Sequence, residues 1–497
     1  MTMTPRDLSE TASLNIEFYR KAAKALLKAA RAGDRAANDR LKATGIAGEH
    51  PKDVHVLHVA QLAIAREHGF ASWPRFIAFI TESRLDFQGL VTRFIDAATS
   101  DQRRARDLLA DHPQLRGAGV YVALVLGDWR QVAAAIAADP EFATRKSGPD
   151  SVEPLVYLCF SRFGHHRAPE AADLALTLRL LLTHGADPDT AWASEHGPLS
   201  CLYAACGLNG NVEMTRLLLE AGADPNDGES VYHATEQPDL TCLRLLIDHG
   251  AQIKGVNGLK HMLDRESAEG LRLLLDAGGD PNETNPQGDT ALHWAVRRNR
   301  SPAIVEILLD YGADIDAVRQ DGRTAYALAV VSGQTAVAEC LAMRGADTRL
   351  SALDAFVAGQ GSEVPKESAA SPENARLLTH LAESGNLTGV DALLKAGVPV
   401  DARGDGGTTA LHYACWRGNA ALVKLLLVHG APLDLADNMY KATPGGYLHH
   451  GATNCGEGDY AESTRLLIAA GFRDWDSPSG HPKMDAVLRE EGIISPA

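Results

Sequence analysis

His450, Cys455 and Asp459 fall within ten residues of one another. A thiol, an imidazole and a carboxylate are the parts of a Cys–His hydrolase: nucleophile, base and orienting group. Closeness in sequence does not assemble a triad, and the same stretch reads as an elongated loop in which Asn454 and Asp459 make turns and Cys455 is buried. His449, His450, Cys455 and Asp459 are also metal-ligand types. Adjacent histidines on a helix point about 100° apart, however, and rarely share one ion, so neither a metal nor a cofactor is expected. The pair His165-His166 is a weaker case of the same kind. No glycine-rich phosphate loop, G-x-S-x-G elbow or H-E-x-x-H pair occurs. An enzymatic reading therefore stays open as the alternative to binding.

The elements that must position these residues recur. A phrase of the type Leu-Leu-x-x-Gly-Ala-Asp returns as Gly185-Ala186-Asp187, Gly222-Ala223-Asp224, Gly312-Ala313-Asp314 and Gly345-Ala346-Asp347, with weaker copies at Gly250, Gly278, Gly397, Gly430 and Gly471. Gly312 and Gly345 stand 33 residues apart, as do Gly397 and Gly430. About twenty residues ahead of this phrase comes a second, Thr290-Ala291-Leu292-His293-Trp294-Ala295 and Thr409-Ala410-Leu411-His412-Tyr413-Ala414. Thr290 or Thr409 can cap a first helix while the histidine three residues on reaches back, a variant of the capping box. Ser301-Pro302 opens a second helix, Ile304, Val305, Leu308 and Leu309 line one face of it, and Gly312 ends it. Asp321-Gly322 reads as a hairpin turn into the next unit.

These phrases and their period resemble the ankyrin family, with its T-P-L-H-x-A-A opening and closing G-A-D-x-N. The resemblance implies an all-α solenoid of helix-turn-helix units with short β-hairpin turns, roughly eleven units in all, stacked because one unit alone cannot bury its apolar face. Its implied function is that of a scaffold holding a protein partner in a concave groove, with a small molecule as the other possible ligand.

Composition narrows the partners. A net charge of −16 opposes a phosphate backbone, and Lys and Arg are scattered rather than striped, which argues against nucleic acid. No stretch approaches roughly 18 consecutive apolar residues, which argues against a membrane span. The start, Met1 to Glu10, has no apolar leader region, and seven cysteines form no C-x-x-C pair; a reduced, cytoplasmic protein is expected.

Residues 1–88 read as an N-terminal helical capping module, with Ala22, Ala25, Leu26 and Ala29 at helical spacing and Ser72-Trp73-Pro74 opening a later helix. The phrase from Gly69 to Pro74 resembles one from helical segments that precede ankyrin arrays in bacterial proteins. Degenerate repeats are expected over 89–151, clear repeats over 152–358, a polar Pro-containing loop or hinge over 359–372, further repeats over 373–474 and a C-terminal cap over 475–497. The intervals Gly222 to Gly250 and Gly250 to Gly278 are only 28 residues, so those units must have shortened hairpins or first helices.

In the ankyrin family the two positions before the mid-repeat glycine face the groove. Here they are Arg297 and Arg298, Val331 and Ser332, Trp416 and Arg417 and, more loosely, Leu208 and Asn209. Trp and Arg are typical binding anchors; the plainer reading makes the arginines a solvated face and Trp416 a packing residue. The last repeat departs most from the family, reading Thr443-Pro444-Gly445-Gly446-Tyr447-Leu448-His449-His450-Gly451 with Ala452 to Tyr460 inserted. The insertion is expected to protrude near the groove end of the first helix, bringing His450, Asn454, Cys455 and Asp459 close to Trp416 and Arg417, and Tyr447, His450 and Asn454 are expected to join the binding surface.

Overall fold

The computed structural model describes residues 16–44, 57–70, 72–82, 85–194, 197–361, 371–455, 457–475 and 478–494. The expectations placed on Met1 to Glu10, on most of the 359–372 loop and on the last residues of the chain lie outside these.

Four helices, Ile16–Arg31, Arg35–Lys42, Leu57–Glu67 and Trp73–Glu82, enclose a core of their own that includes Tyr19, Leu26, Leu41, Ile64 and Phe76. The buried stripe of the first is Tyr19, Ala23, Leu26 and Ala30, one residue round from the alanine stripe the sequence suggests, and Ala25 is exposed. Aromatic bulk decides the rotation: the Tyr19 ring meets Phe76 edge-on at 4.8 Å and His68 at 5.3 Å. Ion pairs from Arg104 to Glu82 and from Arg75 to Asp107 tie this module to the array.

From Leu90 to Ile494 one continuous core runs through stacked helix pairs. In a representative unit the inner helix Ala291–Arg297 is followed by the outer helix Pro302–Asp310, and the next unit repeats this as Ala325–Val331 and Thr335–Met343. Thr290 and His293 form the expected capping box, as do Thr409 and His412. The histidines also reach forward: with Nδ1 accepting from the threonine N–H, Nε2 of His293 donates to the Arg323 carbonyl at 3.2 Å, and Nε2 of His412 to that of Ala442 at 3.2 Å. One imidazole thus caps its own helix and holds the next unit.

The two short intervals arise ahead of the inner helix: Gly312 precedes the start of its inner helix, Ala325, by 13 residues, whereas Gly222 precedes Ser230 and Gly250 precedes Gly258 by only 8, and the inner helices there, Ser230–Ala234 and Gly258–Met262, are five residues long. Hairpins are rarer than the sequence suggests. Among the described residues one strand pair forms, Ala191–Ser194 antiparallel to Gly197–Ser200; Asp321-Gly322 turns without paired strands. Among the described residues no helix is long and apolar enough to cross a membrane.

A ladder of side-chain amides joins the inner loops. Asn211 donates to the Gly164 carbonyl at 2.8 Å, Gln334 to that of Val296 at 2.7 Å and Asn386 to that of Val331 at 3.0 Å. The last of these spans the region read as an interruption. There the helix Ala352–Val357 wedges between Ala325–Val331 and Leu387–Lys395, and the inner helix Pro372–Glu383 continues the stack. Ser332 and His380 meet across the junction at 3.0 Å. Stacking is therefore direct on both sides of the loop.

Buried charge stitches the same junction. Asp289 receives Arg297 at 2.9 Å and Arg319 at 3.0 Å, Arg319 and Arg323 flank Asp321, Arg323 bonds Asp354 at 2.9 Å and Asn374 at 3.0 Å, and Arg297 reaches Glu383 at 3.5 Å. Burial pushes the Asp289 carboxyl up, but the two guanidiniums and Asn285 together hold it below its ordinary range. His380 lies fully enclosed beside these arginines, and burial first, then Arg297 and Arg319, lower its imidazole to about 3; burial lowers His293 to about 4.

Both histidines are thus neutral in the fold, whereas an unfolded histidine takes its proton near pH 6.5. Below that value the unfolded chain binds more protons, so stability is complete above about pH 6.5 and is lost as pH falls toward the folded values, by about 2 kcal/mol per histidine between pH 7 and 5. Denaturant midpoints at the two pH values should fall accordingly, and the fall should be about 2 kcal/mol smaller in a His380→Gln variant.

A candidate binding groove on the inner face

Counting from the cap residues Thr290, Thr409 and Thr443, the fourth residues are Trp294, Tyr413 and Tyr447, the seventh Arg297, Trp416 and His450, and the eighth Arg298, Arg417 and Gly451. Spacings of four, seven and eight share one helix face, and stacking aligns these faces into a surface. A cavity of about 1350 Å3 follows it, bordered among others by Asp264, Arg298, Glu383, Trp416, Arg417 and Asn454.

The two neighbouring arginines behave differently. Arg297 borders the cavity but is largely buried and engaged by Asp289 and Glu383, so it also belongs to the charge lattice under the groove. Arg298 is about one-third exposed and binds Asp264 at 2.7 Å and Glu383 at 3.1 Å while lying 4.7 Å over the Trp294 ring. Trp294 in turn donates its indole N–H to Asp264 at 3.2 Å. Sequence reasoning missed Asp264, Trp294 and Glu383. Glu383 precedes Gly385 as Trp416 precedes Gly418, so the family position would have found it had the 373–383 segment been aligned as an inner helix. Asn209 is not a groove residue: it is buried, donating to the carbonyls of Cys159 at 3.0 Å and Ser161 at 3.2 Å.

Beside the main cavity lies a smaller one of about 310 Å3, enclosed by Trp416, Tyr440, Ala442, Gly446, Tyr447 and His450. The Trp416 and His450 rings stack at 5.2 Å, and Tyr447 stands at 66° to Trp416 with centroids 6.1 Å apart. Tyr447 is braced from behind by His412, edge-on at 4.9 Å. Trp416 borders both cavities. Arg417 opens onto the main one and makes no ion pair among the described residues.

The possible triad is not assembled. His450 stacks on Trp416, while Asp459 caps the helix Tyr460–Ala469 through the Glu462 N–H at 3.0 Å. Cys455 faces Tyr460, whose hydroxyl donates to the Trp416 carbonyl at 3.0 Å; burial and then the Cys455 thiol push that phenol up to about 12. Among the described residues no hydrogen bond joins His450, Cys455 and Asp459, and no three His, Cys, Asp or Glu side chains are grouped to hold a metal ion. Nor is the insertion simply a loop: the inner helix extends to Pro444–Asn454, so Ala452, Thr453 and Asn454 are helical, with Asn454 donating to the His450 carbonyl at 2.7 Å.

The departure from the family phrase has a packing cause. A Cβ on Gly445 would overlap the Phe472 ring, and one on Gly451 would overlap the Trp416 carbonyl. Gly451 lets the last inner helix approach its neighbour closely enough to bring His450 onto Trp416, and Gly445 makes room for Phe472 at the end of the same unit.

Ankyrin-repeat family models match three stretches: a single repeat over residues 199–230, three copies over 261–352 and further repeats over 378–427. The chain carries ankyrin repeats in these three stretches. It is similar to the B-cell lymphoma 3 protein homolog of Mus musculus, 34% identical over 168 residues, which is 33% of either protein; the match thus spans a third of that relative's length. Among solved structures, the human ASB11 ankyrin repeat domain is 20% identical, with a TM-score of 0.36, over 46% of this chain and 97% of that one. The ankyrin repeat domain of Bcl-3, described as a unique member of the IkappaB protein family, is 27% identical, with a TM-score of 0.20, over 50% and 92% respectively.

Gly451→Ala should lower stability by about 1–3 kcal/mol by forcing the helix away from Trp416. Gly446→Ala, whose nearest neighbour would be the Ala442 Cβ at 3.5 Å, serves as the control and should leave the denaturation midpoint equal or higher.

Proposed function

We propose that this ankyrin-repeat scaffold holds an extended segment of a protein partner along the inner groove and anchors one of its side chains between Trp416 and Tyr447. The observation that carries the reading is the position of Trp416 as a wall common to the long cavity and the aromatic pocket. A chain lying in the first can drop a side chain into the second. Large aromatic and Arg side chains bordering a recess are the usual anchors of an interface. Arg298 and Glu383 are already paired to each other, so a partner meets them as an ordered polar rim; Arg417 supplies a guanidinium free to pair with a partner's carboxylate or carbonyl. Arg297 borders the cavity and also holds Glu383. The likeness to the mouse relative over an ankyrin segment supports protein binding in the coarse sense. Seven unpaired cysteines, six of them buried, support a reducing, cytoplasmic setting.

Placing a photo-crosslinking benzoylphenylalanine at Asn419, on the groove edge, tests this in an extract of the source organism. Adducts should form with the parent chain and fall about tenfold or more in a Trp416→Ala, Tyr447→Ala variant whose melting curve shows it folded. Undiminished adducts in that variant would remove the pocket from the interface.

A further inference from the structure

We propose that the aromatic pocket takes an organic cation, a methylated ammonium head carried on a partner side chain or on a free small molecule. This deepens the groove reading and rests on it for the ligand's approach, though the chemistry of the pocket stands by itself.

Four of the six residues around the pocket present ring systems: Trp416, Tyr440, Tyr447 and His450. Trp416 and Tyr447 meet at 66° and form a corner, Tyr440 is 72% exposed and forms the outer wall, and Ala442 and Gly446 supply a floor without bulk. Ring faces carry negative quadrupole charge and attract a cation placed over them. An apolar ligand would be served as well by leucines and valines, of which the lining has none.

Arg417 opens onto the main cavity rather than this one, and Arg403 is engaged by the Ala436 carbonyl at 2.9 Å, which leaves one carboxylate as the buried charge nearest the loop that carries Tyr440. Asp437 lies at the base of the loop bearing Tyr440 and is 1% exposed. Its carboxylate accepts from the backbone N–H groups of Met439 at 2.7 Å, Tyr440 at 2.7 Å and Ala442 at 2.9 Å. Those three bonds shape the loop and keep the carboxylate charged, yet no Lys or Arg among the described residues forms an ion pair with it. Lys441, the nearest basic residue in sequence, is exposed and lines neither cavity. The net charge of −16 adds a field that favours cations. A methylated ammonium fits better than a bare one, because its spread charge is weakly hydrated and its methyl groups gain from burial against rings.

The full chain is titrated at constant ionic strength with choline and with its neutral isostere 3,3-dimethylbutan-1-ol, reading tryptophan fluorescence as the difference from a Trp416→Phe chain. Choline should bind about three- to thirtyfold more tightly than the alcohol. A Gly446→Leu variant keeps every ring but fills the cavity, and should abolish the choline signal. A short peptide bearing one trimethyllysine, against its unmodified lysine parent, separates the sources: binding tighter than choline assigns the cation to a partner chain, weaker binding to a free molecule, and both uphold the class. Equal affinity for choline and the alcohol, or a choline signal that survives Gly446→Leu, overturns the proposal. Neither result bears on the Asn419 crosslink, so the two readings fail separately.

Discussion

A helix pair of this kind leaves one apolar face bare until a neighbour stacks on it, so an inner surface exists only where stacking is unbroken. The critical place is the junction between Ala325–Val331 and Pro372–Glu383, between which the described residues form the outer helix Thr335–Met343 and the short helix Ala352–Val357. Apolar contact there is supplemented by the lattice running from Asp289 through Arg319, Asp321 and Arg323 to Asp354, with Arg297 and Glu383 as its upper edge. Buried ion pairs contribute little net stability over well-packed apolar residues, but an unpartnered member is costly. The lattice therefore acts on register: a shift of one unit against the next would leave several charges uncompensated.

The groove inherits that register. Glu383 takes part in the lattice through Arg297 and in the surface through Arg298, so charge below the floor sets the position of charge upon it. The amide ladder does the same for the loop backbones. Arg298, Trp294 and Asp264 form a closed set of contacts, and the surface presented to a ligand is ordered before any ligand arrives. Ordering in advance lowers the conformational entropy lost on binding.

Much of this was legible in the sequence because each unit's grammar is local. Cap threonines, reaching histidines, terminal glycines and the 28-residue intervals concern residues close together in the chain, and their consequences appear where the pattern puts them. Trp416 and Arg417 follow from the resemblance to the ankyrin family, and Tyr447 and His450 from the departure of the last repeat from its phrase. What escaped was long-range: Glu383 pairs with Arg298 across 85 positions, and Arg323 with Asn374 across 51. The hydrolase-like trio illustrates the converse. Nearness along a chain placed three reactive groups together, but a helix running on to Asn454 turned His450 toward Trp416, and helix capping claimed Asp459.

The contact of Gly451 with the Trp416 carbonyl also bears on how such an array can change over generations. Repeat proteins lengthen when one unit is copied beside another, which works when every unit offers its neighbours the same surface. The unit that begins at Thr443 does not: its Gly451 is packed against the Trp416 carbonyl of the unit before it, while the Phe472 over its Gly445 comes from the unit itself. A duplicate would carry its own Phe472 but would need a neighbour whose inner helix lies as close as that of Trp416. The terminal unit is thus bound to its address in the array, and growth by copying is confined to the more regular units before it.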